Sequence, residues 1–283
     1  MKKINKGGVK VKSYEEMRKE ALNVRRDVIN MLYMAGSGHP GGSLSIVDIL
    51  VYLYNKIYVD PLEPQKKTRD RIVLSKGHAA PALYGVLAEH GFFCKSEFKR
   101  LRKLGGKLQG HPDRNKTPGV DACTGSLGLG ISTACGMALS GKVQELPYRV
   151  YALLGDGELQ EGIVWEALTA AVHYQLNNLI VVIDCNGLQI DGEVKRVMNL
   201  GNLKERLRTI GFHVVEIDGH DFEQLDQAFT LVEERRPICI LAKTIKGKGI
   251  SYMENDPGWH GKMITEEYYE QAIKEMEGVE SIW

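Results

Sequence analysis

Apolar residues near the start of the chain recur at helical spacing and predict two consecutive helices. Ser13 and Glu16 form an S-x-x-E capping box, and the apolar positions that follow repeat every three to four residues until Gly36. A second periodic segment covers residues 46–53. Further along, a short apolar run predicts a buried strand at 71–75, and two helices are predicted at 81–90 and 96–104.

Strands and helices alternate in the second half of the chain. The predicted strands are 150–154, 179–184, 213–217 and 238–243. The predicted helices between them are 161–175, 203–210 and 222–235. This alternation predicts an α/β fold, a parallel sheet flanked by helices on both faces. No repeat, low-complexity tract or linker divides the sequence, so we expect a single domain over residues 1–283 with a helical N-terminal part.

The composition argues against several classes of protein. Hydrophobic residues make up 43% of the 283 positions, which suffices for a sizeable core. Lys and Arg (37) balance Asp and Glu (36), and this formal net charge of +1 argues against nucleic acid or an anionic membrane as the main partner. No run approaches the roughly 18 apolar residues of a membrane span. The basic N-terminus lacks the apolar run of a signal peptide, and five cysteines without a C-x-x-C pair favour a reducing, cytoplasmic setting.

An acidic turn follows one predicted strand, and an asparagine follows the next. Asp156 lies in a G-D-G turn directly after strand 150–154, and Asn186 follows strand 179–184. Because the carboxyl ends of parallel strands lie at the edge of the sheet where ligands bind, the two side chains can approach each other there. Carboxylate and amide oxygens suit Mg²⁺ or Ca²⁺, and such a partial shell is typical of magnesium bound with a diphosphate. The alternative is an ordinary turn with a loop asparagine.

Four of the eight histidines lie among glycines on separate loops: His39, His78, His111 and His260. Glycine lets the backbone approach a ligand closely, and histidine donates or accepts a proton near neutral pH. Without an H-x₃-H pair or a cysteine partner, the four favour a polar site wall over a metal centre. For each one taken alone, a turn or capping role is the alternative. The other histidines are interpreted as ordinary residues of helices, a strand and a turn: His90, His173, His213 and His220.

A long irregular segment leads into a glycine-rich run that is a candidate phosphate site. Residues 105–126 show no periodicity and are too long for a plain connection, which indicates a functional loop. The run G-S-L-G-L-G at 125–130 begins a predicted helix, whose N-terminal N–H groups can face a phosphate. Its glycine order differs from the dinucleotide fingerprint, and the G-K-[ST] of a Walker A loop is missing. Lys246, in K-G-K-G after the last strand, can supply a cation, with a solvated loop as the alternative.

These motifs together resemble the thiamine diphosphate enzymes, and among them the transketolases. The G-D-G turn with its asparagine resembles the thiamine diphosphate signature, and the run GDGELQEGIVWEA at 155–167 resembles its transketolase form. Further segments follow in transketolase order along nearly the whole chain: SGHPGGSLS, LSKGHAAPALY, LQGHPD, TGSLG, CNGLQIDG, AKTIKGKG and WHGK. Two positions depart from the family pattern. Leu129 replaces a frequent Gln, and Gly42 replaces a frequent alanine or hydroxyl-bearing residue.

The resemblance implies a site for thiamine diphosphate and a divalent metal. Asp156, Asn186 and the backbone carbonyl of Leu188 would hold Mg²⁺, with Ca²⁺ or Mn²⁺ as alternatives. The residues implied to contact the cofactor are His78, Gly125, Ser126, Leu127, Gly128, Asp156, Gly157, Glu158, Asn186, Lys246 and His260. The residues implied to be catalytic are His39, His78, His111 and His260, of which all but His78 would line the sugar channel and move protons. Glu161 resembles the buried glutamate that couples the two active sites across the family's dimer interface.

The implied reaction is the transfer of a two-carbon ketol unit from a ketose phosphate to an aldose phosphate, as in the pentose phosphate pathway. A full-length transketolase is about twice as long, and its other half carries the pyrimidine-binding domain with the glutamate that activates the cofactor. The resemblance therefore predicts the N-terminal subunit of a split transketolase. The predicted complex is a heterotetramer with two C-terminal subunits, and this chain alone would be inactive.

Other functions stay open as alternatives. One is a split transketolase specialised for a branched sugar such as apulose 4-phosphate. Another is a different thiamine enzyme, such as 1-deoxyxylulose-5-phosphate synthase or the α subunit of a 2-oxo acid dehydrogenase, although the GELQEG and WHGK segments favour transketolase. A third is an inactive scaffold subunit, against which the intact Asp156, Asn186, His78 and His260 argue.

Overall fold

The strands of the molecule form one large parallel sheet and one small hairpin. They are β1 (Arg71–Leu74), β2 (Val150–Gly155), β3 (Leu179–Cys185), β4 (Leu188–Gln189), β5 (Gly192–Glu193), β6 (His213–Asp218) and β7 (Ile238–Lys243). The large sheet has the order β1-β2-β3-β7-β6 and is parallel throughout, whereas β4 and β5 pair antiparallel. This computed structural model describes residues 12–280, so residues 1–11 and 281–283 of the predicted domain, among them nearly all of the basic N-terminus, lie outside the described residues.

Helices flank the sheet. They are α1 (Tyr14–Ala35), α2 (Pro40–Ser45), α3 (Val47–Lys56), α4 (Ala80–Glu89), α5 (Leu129–Val143), α6 (Gly162–His173), α7 (Val194–Val197), α8 (Leu203–Ile210), α9 (Phe222–Phe229) and α10 (Glu266–Glu280). The predicted capping box is present at the start of α1, where Ser13 and Glu16 each accept the backbone N–H of the other. Gly36, with a φ of 66°, ends the helix in the left-handed conformation.

Successive residues of each central strand belong to opposite apolar layers. Ile180 and Val182 of β3 pack in the layer that contains α1, α3 and α4, whereas Val181 and Ile183 pack in the layer that contains α5, α6 and α8. Because both faces of the central strands β2, β3 and β7 are buried, these strands have nearly continuous apolar sequences. The predicted α/β fold is therefore confirmed. None of the helices within residues 12–280 combines the length and the apolar character that crossing a bilayer requires.

Two helix predictions are wrong at their C-terminal ends. The segment 96–104 forms only a 3-10 turn, Lys95–Arg100, because Arg102 has a φ of 58° and donates its N–H to the Leu108 carbonyl at 3.0 Å. The segment 222–235 stops being helical at Phe229. Residues 230–237 are turn, bend or irregular backbone, and Pro237 restricts only the residue directly before it.

Candidate active site

Polar residues that follow four of the parallel strands line one cavity of about 330 Å³. They are Lys76 after β1, Asp156 after β2, Asn186 after β3 and Lys246 after β7. The carboxyl ends of parallel strands lie at the same edge of a sheet, and this edge is where open α/β folds bind ligands. The cavity thus brings together side chains that are far apart in the sequence.

Most of the residues singled out in the sequence line this cavity. They are His39, His78, His111, Gly125, Leu127, Asp156, Gly157, Glu158, Glu161, Asn186, Leu188, Lys246 and His260. Ser126 and Gly128 belong to the same loop as Gly125 and Leu127, but within the described chain they are not part of the cavity lining. Glu161 is solvent-exposed here and precedes α6 as its N-cap residue.

The four glycine-flanked histidines form one cluster. The ring of His39 lies 5.5 Å from that of His78, 6.1 Å from that of His111 and 5.4 Å from that of His260, measured between ring centroids. His78 and His260 are 5.1 Å apart. Four separate segments place them: the start of α2, the 3-10 turn after β1, the irregular segment 105–126 and the 3-10 turn Pro257–His260. Their loops are distant in sequence, and only the complete fold brings them together.

These histidines are held in the neutral state at pH 7. Burial, followed by the nearby positive charges of Arg102 and Lys246, lowers the pKa of His39 to about 4. Burial and the Lys246 ammonium lower the pKa of His260 to about 3. The pKa values of His78 and His111 are lowered as well, in both cases chiefly by burial. A neutral imidazole offers one donor and one acceptor nitrogen, as proton transfer to and from a substrate requires.

The proton of His260 can be located from its neighbour. The Lys246 ammonium donates to Nδ1 of His260 at 3.1 Å and lies 3.4 Å from the Leu188 carbonyl oxygen. Nδ1 therefore acts as the acceptor, and the neutral ring carries its proton on Nε2. Burial, together with the charge of Lys76, lowers the pKa of Lys246 to about 8, which leaves the amine mostly protonated at pH 7. Nδ1 of His39, in contrast, is buried without a hydrogen-bond partner in the described chain.

Asp156, Asn186 and Leu188 present oxygen donors at the sheet edge. The Asp156 carboxylate accepts the N–H of Gly157 at 2.8 Å and the N–H of Gly187 at 2.6 Å, which ties the turn after β2 to the turn after β3. Asn186 Oδ1 accepts the N–H of Leu188 at 3.1 Å. One carboxylate, one amide and one carbonyl are hard donors of the type that Mg²⁺ binds.

The electrostatics of Asp156 fit a cation at this position. Burial, followed by the negative charge of Asp184, raises the pKa of Asp156 to about 6. A carboxylate held in such a site gains from a neighbouring positive charge. Within residues 12–280, no three His, Cys, Asp or Glu side chains converge as a metal cluster would require. The donors present therefore fit a hard cation that takes its remaining ligands from outside the chain, such as phosphate oxygens and water.

A buried ion pair lies at the wall of the cavity, and no sequence motif predicts it. The Lys76 ammonium contacts the Asp184 carboxylate and donates to the Gly42 carbonyl at 2.9 Å. Ser45, at 2.5 Å, and Thr244 also donate to Asp184. Although burial alone would raise the pKa of Asp184, Lys76 and the two hydroxyls hold it below its usual value. Lys76 directly follows a predicted strand and precedes Gly77. This position at a strand end is the sequence feature that could have indicated a site residue.

Glu158, which the resemblance places at the cofactor, lines the cavity and is also hydrogen-bonded to the glycine-rich loop. Its carboxylate accepts the Ser75 hydroxyl, the Gly128 N–H at 2.9 Å and the Gly155 N–H at 3.1 Å. Burial raises its pKa. The carboxylate therefore anchors the glycine-rich loop to the ends of β1 and β2, and it uses the Gly128 N–H that was expected to face a phosphate.

A hairpin that the sequence patterns did not predict covers one side of the cavity. Gln189, Ile190 and Asp191, at the tip of β4 and β5, line it together with Gln160. Gln160 donates to the Gln189 side-chain oxygen at 2.8 Å. Ile190 and Asp191 form the turn between the two strands, and Gly192 begins β5.

Comparison with known proteins identifies the family. Residues 17–281 match the family model described as transketolase, thiamine diphosphate binding domain. A crystal structure of transketolase from Campylobacter jejuni superposes with a TM-score of 0.89 at 33% identity, covering 94% of this chain and 43% of that one. Human transketolase is 40% identical over 276 residues, which are 94% of this chain and 44% of the human protein. The chain thus spans less than half the length of these two relatives.

Two shorter relatives match over nearly their whole length. One subunit of the apulose-4-phosphate transketolase of Phocaeicola vulgatus is 38% identical over 265 residues, 93% of this chain and 94% of the relative. The 6-deoxy-6-sulfo-D-fructose transketolase subunit SqwG of a Clostridium species is 40% identical, over 93% of this chain and 96% of the relative. The chain therefore belongs to the transketolase family and corresponds to its thiamine diphosphate-binding domain.

Proposed function

We propose that this chain is the N-terminal subunit of a thiamine diphosphate-dependent transketolase. Together with a C-terminal partner subunit, it would transfer a two-carbon ketol unit from a ketose phosphate to an aldose phosphate. The observation that carries the proposal is that one cavity is lined both by Asp156 and Asn186 and by a cluster of four neutral histidines. Oxygen donors for a metal and imidazoles for hydroxyl protons are the two sets of groups that this transfer needs.

The chain's own residues divide into two tasks. Asp156, Asn186 and the Leu188 carbonyl would hold Mg²⁺, and the Lys246 ammonium would meet negative charge of the diphosphate. When bound, thiamine diphosphate supplies the nucleophilic carbon and the electron sink for C–C cleavage. His39, His111 and His260 would orient sugar hydroxyls and move their protons, while His78 would contact the cofactor. Their lowered pKa values keep them available as neutral acceptors at pH 7.

A partner chain is part of the proposal. Two relatives of matching length are named as transketolase subunits, which supports a split enzyme. The proposed complex is a heterotetramer, with the partner supplying the glutamate that activates the cofactor. Exposed Glu161 beside the cavity would couple two active sites across the interface between subunits. All five cysteines are free thiols, which supports a reducing, cytoplasmic setting. The proposed substrates are sugar phosphates, and the chain is proposed to form a single domain.

A specialised substrate is the second candidate. The two relatives of matching length are named for apulose 4-phosphate and 6-deoxy-6-sulfo-D-fructose, sugars that carry a phosphate or a sulfonate. Identities of 38% and 40% do not favour one over the other. The general pentose phosphate reaction and these transfers share the same site chemistry, and the partner chain would supply much of the sugar recognition.

Reconstitution tests the proposed function. This chain, the product of the neighbouring gene, thiamine diphosphate and Mg²⁺ are combined and assayed with xylulose 5-phosphate, apulose 4-phosphate and 6-deoxy-6-sulfofructose as donors. We expect glycolaldehyde transfer to an aldose phosphate only when both chains are present. Equal turnover by this chain alone would refute the requirement for a partner. Cofactor binding without any ketol transfer would refute the proposed reaction.

A further inference from the structure

Lys246 lies in an irregular segment, and other residues must therefore fix its ammonium. Residues 244–249 follow β7 without helix or strand structure. Several hydrogen bonds nevertheless hold the segment, among them the Thr244 hydroxyl to Asp184 and the Asn255 N–H to the Lys246 carbonyl at 2.9 Å. Three further anchors come from other parts of the fold. The Ile245 N–H donates to Nε2 of His220 at 2.9 Å, the Lys248 carbonyl accepts from Nε of Arg25 at 3.0 Å, and the Gly247 N–H donates to the Gly41 carbonyl at 3.0 Å.

One carboxylate organises two of these anchors. Asp48 accepts both terminal nitrogens of Arg25, at 3.0 and 2.6 Å, and lies 2.6 Å from Nδ1 of His220. Because Nε2 of His220 accepts the Ile245 N–H, the ring proton must be on Nδ1, where it is donated to Asp48. Asp48 and Arg25 are buried. Burial would raise the pKa of Asp48, but Arg25 and His220 hold it far below its usual value, so the carboxylate stays charged.

The Asp48 network is defined as Arg25, Asp48 and His220. It is hydrogen-bonded to the segment on both sides of Lys246, at Ile245 and at Lys248. Its members come from α1, α3 and the turn after β6. They do not line the cavity around Lys246 in the described chain, so they can influence bound ligands only indirectly. The D-G-H-D context of His220 predicts an ordinary turn residue, and its contacts show that it also supports the segment of Lys246.

We propose that the Asp48 network is a positioning device for Lys246. It fixes the backbone on either side of this residue, so that the ammonium stays at the Leu188 carbonyl and Nδ1 of His260, facing the cavity. A charged group that is held in advance binds an anion without a further ordering cost. This inference rests on the proposed function, because the anion meant is the diphosphate of the cofactor.

A double-mutant cycle tests the proposal. His220→Leu removes both hydrogen bonds, Lys246→Met removes the ammonium, and the dissociation constant of thiamine diphosphate is measured in the reconstituted complex with Mg²⁺ for each variant and for the double variant. We expect His220→Leu to raise the dissociation constant about tenfold or more in the otherwise unmodified chain. In the Lys246→Met background, it should raise the dissociation constant by less than about twofold. Equal losses in both backgrounds would show that His220 does not act through Lys246, and would overturn the proposal.

Two further variants serve as a rescue and as a control. His220→Gln retains a donor and an acceptor and should restore most of the affinity lost in His220→Leu. His213→Leu is the matched control, because His213 is also partly buried and also bonded to an acidic side chain, Glu233, but does not contact residues 244–249. It should leave the dissociation constant unchanged. If His220→Leu fails to fold, Asp48→Asn takes its place in the cycle with the same expected outcome.

Hydrogen exchange provides a readout without turnover. The amide of Ile245 donates to His220, so His220→Leu should speed exchange in residues 244–249 but not in the central strands. Unchanged exchange there together with unchanged cofactor affinity would overturn the positioning role. Ketol transfer by the unmodified complex would still support the proposed function in that case, so the two failures are distinguishable.

Discussion

The ammonium of Lys76 and the carboxylate of Asp184 form an ion pair whose side chains are only 1% and 0% exposed. Charges this deeply buried are tolerated only while they are paired and hydrogen-bonded. Ser45, Thr244 and the Gly42 carbonyl supply the remaining hydrogen bonds. The pair connects the ends of β1 and β3 to α2 at the wall of the cavity.

Breaking this pair should strongly destabilise the chain. Asp184→Ala leaves the Lys76 charge buried without its partner, and we expect the free energy of unfolding in urea to fall by about 3–5 kcal/mol. Glu15→Ala, which breaks the exposed pair of Glu15 with Lys19, is the control and should change it by less than about 0.5 kcal/mol. Similar values for the two variants would contradict the assigned role of the pair.

Removing the Asp156 carboxylate should abolish Mg²⁺-dependent cofactor binding while leaving the fold intact. Asp156→Ala deletes the only charged donor of the proposed metal site, so the dissociation constant of thiamine diphosphate in the reconstituted complex should rise at least a hundredfold. The circular dichroism spectrum should match that of the unmodified chain. Calorimetric titration with and without Mg²⁺ measures the effect, and unchanged affinity would refute the metal assignment.

Cofactor binding should weaken in acid. The Asp156 pKa is raised to about 6, so below that pH a proton competes with the metal for the carboxylate. The contribution of Asp156 to affinity should be constant above about pH 7 and fall by up to about tenfold per pH unit below 6, since one proton is displaced. The diphosphate of the cofactor titrates in the same pH range. The pH profile of the Asp156→Asn variant measures this contribution, which is then subtracted. Identical pH profiles for the two proteins would argue against titration of Asp156.

Replacing His39 should impair turnover more than binding. His39 is the N-cap residue of α2, but its side chain makes no capping bond, and its buried Nδ1 lacks a partner in the described chain. We therefore expect His39→Ala to lower kcat by about 10²–10⁴-fold, the usual contribution of acid–base catalysis. The cofactor dissociation constant and the melting temperature should change little. A kcat within threefold of that of the unmodified enzyme would show that His39 does not take part in proton transfer.

Gly77 should be intolerant of a side chain. A Cβ atom at this position would lie 2.8 Å from the Gly125 nitrogen and 2.8 Å from Oγ1 of Thr124. Gly77→Ala must therefore displace the glycine-rich loop, at a cost of about 1–3 kcal/mol in stability and with weaker cofactor binding. Gly136→Ala in α5, where nothing lies within 4 Å, is the matched control and should stabilise the chain by up to about 1 kcal/mol. Thermal unfolding of both variants checks this.

The parallel sheet could be predicted because its signal is local. A strand such as β3 is buried on both faces and therefore has a continuous apolar sequence, and the turn residues after it mark where it ends. The ends of α9 and of the segment 96–104 could not be predicted in the same way. A left-handed backbone at Arg102 ends the helical backbone of the segment 96–104, and apolar spacing does not report this conformation.

Candidate site residues were found where residue type alone indicates chemistry. A carboxylate or a glycine-flanked histidine at a strand end can be recognised in one sequence, as Asp156 and His78 were. Lys76 was missed because a lysine is common at surfaces, and only its tertiary contact with Asp184 shows that it is buried. For the same reason, the local sequence around His220 could not reveal its bond to Asp48, a residue on a distant helix.

The wide spacing of the four histidines has a consequence for how the chain folds. Because His39 and His260 come from opposite ends of the sequence, their 5.4 Å approach is a long-range contact that closes almost the whole chain into a loop. We expect such contacts to form late, because the entropic cost of closing the loop is offset only once the sheet between them has assembled. We therefore expect the candidate active site to form in the last folding steps. Its ability to bind ligand would report complete folding more faithfully than helix content does.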